Sequence, residues 1–325
     1  MTSSLSITSP DTKPRQGRRN WRAALPYAAV AGVVGYAAFA GGYPATVVSF
    51  ALIYAVFVIG LNLFMGFANQ VSFGQNAFAA IGGYTSAVLT ATYAWEPLPA
   101  MAVGMALAIA AACAIGYPTL RLKGHYLAMG TLAIGLIVYE ITVEWQSVTQ
   151  GYMGLSGIPP MGALGYEITS DRGQLLMLAG VVAGATFLSA RLRTSRMGRA
   201  LSAVAGSEEA ARALGIPVAR YKLLAFILSA ALASLSGTLF VHVVGFVSPE
   251  VFGLHMVILT FTMLYVGGIG TIAGPVVGAL IISLLPETFR GFKDYQDLAY
   301  GAALIVMLIY APKGLSSLFA ARGDK

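Results

Sequence analysis

The sequence predicts an all-α fold: a polytopic transmembrane helix bundle of about 8–10 spans with both termini in the cytoplasm. Of the 325 residues, 57% are hydrophobic and only 10% are charged. A soluble domain carries roughly 25% charged residues, so this chain has too little charge to cover a soluble globule. The composition therefore excludes a water-soluble protein, a disordered protein and a nucleic-acid-binding domain.

Apolar segments of spanning length recur along the whole chain. A helix needs about 20 mostly apolar residues to cross a bilayer. Of the candidate segments, the last two are short and the third is rich in glycine and polar residues, which is why the number of spans is given as a range. The candidates are 24–42, 45–65, 72–94, 98–118, 124–143, 173–190, 223–244, 253–270, 274–286 and 298–311.

The two ends of the chain are expected to lie outside the transmembrane domain, which occupies 23–315. Residues 1–22 are polar and basic, as in a disordered tail, and 316–325 form a second tail. A basic tail before an apolar run is also the pattern of a cleaved signal, and Arg18-Arg19 is similar to a twin-arginine signal. Because another apolar run follows directly after Gly42, an uncleaved first helix is favoured.

Basic residues cluster beside the predicted spans. The tail 1–22 contains five Lys or Arg residues and the segment 191–222 contains seven, whereas the loops on the other side are acidic or nearly free of cations. Lys and Arg next to spans mark cytoplasmic loops, where anionic lipid head groups are a natural contact. The net charge of +7 therefore indicates membrane topology, and no nucleic-acid partner is expected.

The basic segment 191–222 contains a short predicted helix. Ser207 can cap it, and Glu208 and Glu209 in its first turn suit the positive end of the helix dipole. Gly215 and Pro217 follow as a stop signal. One interpretation is a helix parallel to the membrane that receives force from a cytoplasmic partner. The alternative is an amphipathic helix that rests on lipid head groups.

Several sequence motifs, in order along most of the chain, resemble one family. E-A-A-x-x-x-G at 209–215 is similar to the EAA loop of ABC importer permeases, although the Ile-x-Leu-Pro ending of the wider consensus is absent. Together the motifs resemble the branched-chain amino acid permease family of the LivM kind. The others are LNLFMG at 61–66, VSFGQNAF at 71–78, GYMGLSGIP at 151–159, RMGRA at 196–200, YKLLAF at 221–226 and GGIGTIAGP at 267–275.

This resemblance implies a permease subunit of an ATP-driven importer in the bacterial inner membrane. Its partners would be a second, LivH-like permease subunit, two cytoplasmic ATPase subunits and an extracytoplasmic solute-binding protein. The cargo would be branched-chain or related hydrophobic amino acids. The residues expected to couple the chain to the ATPase are Arg199, Glu208, Glu209, Ala210, Ala211 and Gly215.

A polar, glycine-rich stretch begins at Asn62 and ends at Tyr84. Polar groups at membrane depth need partners, because an unpaired one costs on the order of several kcal/mol in hydrocarbon. These side chains are therefore interpreted either as the lining of a translocation path for a zwitterionic solute or as contacts that hold neighbouring helices together. The residues are Asn62, Asn69, Gln70, Ser72, Gln75 and Asn76.

Gly270, Gly274 and Gly278 repeat at every fourth position, a motif of small residues at which helices pack closely. Tight packing between helices is the favoured interpretation, and a contact with a second permease subunit is the alternative.

No pattern in the sequence points to catalysis, a metal or a bound cofactor. The single cysteine excludes a multi-cysteine metal site, and the three histidines are scattered through apolar stretches; His242 is expected to make ordinary polar contacts. There is no phosphate-binding loop of the Gly-Lys-Ser/Thr type, so ATP is expected only on partner subunits and the chain is not expected to be an enzyme.

Three alternatives to this interpretation remain. The first is the permease of a urea or short-amide importer, because the same architecture serves both. The second is a standalone secondary transporter or channel, which would need ion-coupling carboxylates inside the membrane. The third is an integral membrane enzyme, which would need a cluster of His, Asp or Glu residues.

Overall fold

The computed structural model describes residues 21–163 and 166–288, and within them nearly all of the regular secondary structure is helical. The all-α prediction is confirmed. The helices are α1 (Trp21–Ala40), α2 (Gly42–Asn62), α3 (Gln75–Ala91), α4 (Pro97–Thr119), α5 (His125–Glu144), α6 (Gln146–Thr149), α7 (Asp171–Thr194), α8 (Arg196–Gly206), α9 (Glu208–Ala213), α10 (Val218–Val244), α11 (Leu254–Gly267) and α12 (Gly274–Thr288).

Four two-residue strands lie between these helices and form two antiparallel pairs. They are β1 (Leu155–Ser156), β2 (Gly162–Ala163), β3 (Tyr166–Glu167) and β4 (Phe246–Val247). β1 pairs with β4 and β2 pairs with β3. The β1–β4 pair places Leu155 opposite Val247 and so ties the loop after α6 to the loop after α10.

Nine of the ten predicted spans coincide with helices α1–α5, α7 and α10–α12. The tenth, 298–311, lies outside the described residues, as do the predicted tail 316–325 and nearly all of the tail 1–22. In the described part of the chain, six helices are long and apolar enough to cross a membrane. They are 42–67, 97–119, 125–144, 171–194, 218–244 and 249–267.

Helices α2 and α10 form the centre of the bundle, whereas α4, α5 and α7 lie at its periphery. The apolar windows of α2 and α10 are 83% and 67% buried, but those of the three peripheral helices are only 22–28% buried. Aromatic rings fill the centre: the ring of Phe226 lies 5.2 Å from Phe64 and 5.3 Å from Phe78. Peripheral helices that remain apolar without being buried suit a lipid environment.

Helices α3 and α10 approach each other closely because glycines lie at their contact. A Cβ on Gly237 would be 2.1 Å from the carbonyl oxygen of Ala79, and one on Gly82 would be 2.1 Å from Oγ of Ser234. Small residues let membrane helices pack backbone to backbone. This contact holds together two helices that connect one end of the bundle with the other.

The connections between helices define those two ends. We call the end that contains α8, α9 and the segment linking α2 to α3 the coupling end. The far end contains the loop 145–163 with β1 and the loop 245–253 with β4, which meet through a bond from the amide of Ile158 to the carbonyl of Gly245 (3.3 Å).

Candidate functional site

The coupling segment folds as two short capped helices. Oγ of Ser195 accepts a bond from the amide of Gly198 at the start of α8, and Oγ of Ser207 accepts one from Ala210 at the start of α9, both 3.2 Å long. The predicted cap at Ser207 is thus confirmed. Gly215 has a positive φ of 78°, the left-handed conformation that commonly ends a helix.

Helix α9 has one buried and one exposed side. Ala211 is 1% exposed and packs with Val204 of α8 and Val218 of α10. Leu214, directly after the helix, is 80% exposed. An exposed leucine beside charged residues outside the apolar spans suits contact with another protein. The exposed residues include the predicted coupling positions Glu209, Ala210 and Gly215, together with Arg212 and Ala213.

Arg199 is also exposed, but its guanidinium contacts the end of a spanning helix. Its Nη1 donates a hydrogen bond of 2.9 Å to the carbonyl of Thr194, the last residue of α7. A cation at the negative end of a helix dipole is favourable. The arginine therefore fixes α8 to α7 in this structure.

The polar stretch links α2 to α3 and interrupts the helical structure there. α2 continues as a π-helical turn, Leu63–Phe67, and then ends. Asn69 has a positive φ of 52°, a conformation in which asparagine is enriched, and the amide of Gln70 donates to the carbonyl of Phe64 (3.3 Å). We call residues 68–74 the polar break.

Side chains of the polar break reach the coupling segment. Nδ2 of Asn69 donates to the carbonyl of Ala205 (3.4 Å), and Nε2 of Gln70 donates to Oε1 of Glu208 (3.1 Å). The structure thus brings together predicted residues of the substrate path and of the ATPase-coupling set, which the sequence separates by more than 130 positions.

Lys222 completes this contact, although the sequence pattern gave it no special role. Its Nζ lies 2.7 Å from the same Oε1 of Glu208, and its side chain is only 3% exposed. Desolvation by itself raises the pKa of the Glu208 carboxyl, but the hydrogen bond and charge of Lys222, with smaller effects of Gln70 and Lys123, bring it below its ordinary value of 4.5. Glu208 is therefore charged at neutral pH.

Asn62 binds the loop between α11 and α12. Its Nδ2 donates to the carbonyl of Thr271 (2.8 Å), and its Oδ1 accepts from the amide of Gly270 (2.7 Å). Gly66, one turn later, approaches the same loop so closely that a Cβ would lie 2.6 Å from the Gly270 nitrogen. Both polar atoms of the buried Asn62 amide thus bond to backbone groups.

The remaining predicted path residues are buried with spare hydrogen-bonding capacity; Ser72 lies in the polar break, and Gln75 and Asn76 lie at the start of α3. Nδ2 of Asn76 donates to the carbonyl of Phe252 (2.8 Å). In the part of the chain that the structure describes, Oδ1 of Asn76, Oγ of Ser72 and both amide atoms of Gln75 have no hydrogen-bond partner. Buried polar atoms normally have partners, so this cluster has the chemistry to receive water or a polar solute.

The glycine repeat packs α12 against α11 within this chain. A Cβ on Gly278 would lie 1.9 Å from the carbonyl oxygen of Met263, and one on Gly274 would lie 2.4 Å from that of Gly268. Gly270 has a positive φ of 75° in the loop between the two helices. These are the contacts that the packing interpretation expects.

At the far end, a buried histidine joins three elements. His242 of α10 is 2% exposed, with Nε2 2.7 Å from Oγ of Ser86 in α3 and Nδ1 2.7 Å from the carbonyl of Pro159. Because a carbonyl only accepts, Nδ1 carries a hydrogen, and a neutral ring accepts from Ser86 at Nε2. The polar contacts expected for His242 are confirmed, but its serine partner was not identified from the sequence.

No group of three or more His, Cys, Asp or Glu side chains able to hold a metal occurs in the described ranges. Cys113 is exposed on α4. The charged and polar groups near α9 and the polar break thus form the candidate site.

The comparisons with known proteins agree with this architecture. The family model described as "Branched-chain amino acid transport system / permease component" matches residues 43–311. The chain belongs to this family. It is a multi-pass permease of the inner membrane, and the match begins after α1, at the second residue of α2.

Three relatives show the range of the likeness. The permease protein LivM of the high-affinity branched-chain amino acid transport system of Escherichia coli K12 is 33% identical over 81% of this chain and 68% of its own length. The LivH permease protein of the same system and strain is 27% identical over 81% and 90%. The ribose import permease protein RbsC of that strain is 26% identical over 78% and 80%. No solved structure matches the chain significantly.

Proposed function

We propose that the chain is one of two different permease subunits of an ATP-driven importer for branched-chain or related hydrophobic amino acids. The similarity to LivM and LivH, two permeases of one transport system, supports pairing with a LivH-like subunit. The cargo is inferred from the names of these relatives. The chain itself moves solute and catalyses no reaction, and ATP binds only to the partner subunits.

The observation that carries the proposal is the exposed surface of α9, here called the coupling surface: Glu209, Ala210, Arg212, Ala213 and Leu214. The ATPase subunits dock on it. Charged residues around a single exposed leucine provide both orientation and an apolar anchor. Because Ala211 on the opposite side packs against α8 and α10, a displacement of α9 is transmitted to the spanning helices.

The polarity of the bundle follows from this assignment. The coupling end faces the cytoplasm, together with both termini, and the far end faces the solute-binding protein. The solute passes the buried polar atoms of Ser72, Gln75 and Asn76, whose neutral groups suit a zwitterion. Asn69 and Gln70 lie where that path meets the cytoplasm, and Asn62 holds the loop between α11 and α12 that flanks it.

The test is purification of the tagged chain in mild detergent with whatever remains bound, followed by reconstitution of the recovered complex in proteoliposomes. We expect a second permease, an ATPase and, when the binding protein is added, uptake of leucine, isoleucine or valine only with ATP. A chain that purifies alone and transports without ATP would contradict the proposal. Uptake of urea or acetamide instead would contradict the cargo but not the class of transporter.

A variant pair addresses the coupling surface itself. Leu214→Asp places a charge at the apolar anchor and should lower the amount of ATPase recovered with the permease by about tenfold or more, the loss expected for a central interface residue. Leu214→Met keeps an apolar side chain of similar volume and serves as the control. Equal ATPase recovery with both variants would remove the anchor role of Leu214.

A further inference from the structure

Glu208 receives two donors from different parts of the bundle. Nε2 of Gln70, in the polar break, lies 3.1 Å from its Oε1, and Nζ of Lys222, in the first turn of α10, lies 2.7 Å from the same atom. We call these three side chains the Glu208 joint. It connects α9, α10 and the polar break at a single oxygen.

The two contacts of the joint differ in strength. Lys222 is 3% exposed, and a buried ammonium requires a charged partner, so the Lys222–Glu208 pair keeps the start of α9 on α10. Gln70 is neutral and half-buried, and its Nε2 also donates to the carbonyl of Ala68 (3.3 Å). Because Gln70 carries no charge, its bond to Glu208 can be removed by substitution without leaving a buried charge unpaired.

The surroundings leave room for α9 and the polar break to move together. A cavity of about 290 Å³ lies beside the joint, lined by residues that include Asn69, Lys123, Leu127 and Glu209. Close packing normally prevents helices from sliding past each other. Here α9 and the polar break are connected by the polar contact of Gln70 with Glu208 beside an open space, and the break is also bonded to α8 through Asn69 and Ala205.

We propose that the Glu208 joint transmits the displacement of α9 to the polar break, so that the break follows α9 as the ATPase subunits close. Gln70 and Glu208 are positioning residues in this scheme: neither needs to touch the solute. The break contains Ser72 and leads directly into Gln75 and Asn76, so its position determines the access to their unpaired polar atoms. This inference rests on the proposed function.

The first experiment separates transport from ATP hydrolysis in proteoliposomes that contain the complete complex. Gln70→Leu removes the bond to Glu208 without adding a charge. We expect normal assembly and ATP hydrolysis but a ratio of solute transported to ATP hydrolysed that falls by about tenfold, since a hydrogen bond to a charged group contributes about 1.4 kcal/mol or more. Gln70→Lys, which restores a donor to Glu208, should recover much of the ratio.

Gln174→Leu is the matched control. Gln174 is also half-buried, and its Nε2 makes a side-chain bond to the carbonyl of Ile168 (3.2 Å), far from the coupling end. We expect this variant to keep the wild-type ratio. Glu208→Gln is a second test, expected to lower the ratio in the same direction because a neutral amide holds both donors less firmly.

The second experiment follows the joint directly with spin labels at two exposed positions in a Cys113→Ala background. They are Val71→Cys in the polar break and Gly206→Cys, two residues before Glu208 and outside the coupling surface, where a Cβ meets nothing within 4 Å. In the otherwise wild-type complex, the distance between the labels should stay constant when ATP is added, and in the Gln70→Leu background it should change. If the wild-type complex shows no ATP-driven uptake, the proposed function fails. If it does, but Gln70→Leu keeps both the ratio and the constant distance, the joint is not a transmission element.

Discussion

The two ends of this permease are stabilised by different kinds of contact. At the coupling end, a carboxylate binds a buried ammonium and a neutral amide, and a short helix presents its outer side to solvent. At the far end, the contacts are neutral: a strand pair and the bonds of His242 to Ser86 and Pro159. The neutral contacts at the far end fix a loop in one place, whereas the charged oxygen at the coupling end joins a short helix to two other elements.

Both ends attach to the same pair of helices. Ser86 and His242 belong to α3 and α10, and at the other end Gln70 precedes α3 and Lys222 lies near the start of α10. The close glycine contacts between the two helices keep them together. A movement that begins at α9 therefore has a continuous path to the far end, and the comparison predicts different effects at each point along it.

The largest effect on stability is expected from Glu208→Leu. It leaves the Lys222 ammonium buried without its partner, at a cost of about 3 kcal/mol, the lower end of the usual range because 22% of the Glu208 side chain is exposed. Unfolding of the detergent-solubilised protein by heat or denaturant measures it. The double variant Glu208→Leu/Lys222→Met removes both charges and should recover most of the loss; a double variant as unstable as the single one would contradict the ion-pair account.

Gly237→Ala should disrupt the contact that joins the ends. Its Cβ would lie 2.1 Å from the Ala79 carbonyl oxygen, so α3 and α10 must separate, at about 2 kcal/mol. The control is Gly180→Ala in α7, where a Cβ meets nothing within 4 Å and the higher helix propensity of alanine should stabilise by up to about 1 kcal/mol. The apparent melting temperatures should shift in opposite directions; equal shifts would contradict the close-packing argument.

At the far end, Ser86→Ala should cost about 1 kcal/mol, because it leaves Nε2 of the buried His242 without its donor. Amide hydrogen exchange in β1 should accelerate, since the same ring holds the loop through Pro159. Ser202→Ala, which removes an exposed hydroxyl that bonds within α8, should change neither. Unchanged exchange in β1 after Ser86→Ala would show that the strand pair alone fixes the loop.

The smallest expected effect is a dependence on acid pH. The pKa of Glu208 is lower in the folded protein than its ordinary value of 4.5, so its contribution to stability is present above that value and is lost as the pH falls below it, through the folded pKa. Acidification should therefore reduce the melting temperature of the wild type slightly more than that of Glu208→Gln. If acidification reduced the melting temperature of the variant more than that of the wild type, the ion-pair account would be contradicted.

The helical architecture could be predicted from the sequence because a long apolar segment can cross a membrane in only a few kinds of structure. The capped helix after Ser207 and the stop at Gly215 were likewise predicted from local rules. The partnership of Gln70 with Glu208 was not, because local rules carry no information about contacts across 138 positions. Lys222 is one of the seven cations of 191–222 that indicate topology, and only the structure shows it buried.

Cysteine cross-linking at the two ends tests the central claim most directly. In a Cys113→Ala background, Leu214→Cys places a thiol on the coupling surface and Met153→Cys places one at the far end; both native side chains are at least 80% exposed. In native membranes we expect Leu214→Cys to cross-link to an ATPase subunit and Met153→Cys never to do so. A transport-competent complex in which the ATPase links to position 153, or in which position 214 never reaches it, would contradict the assignment of the coupling end.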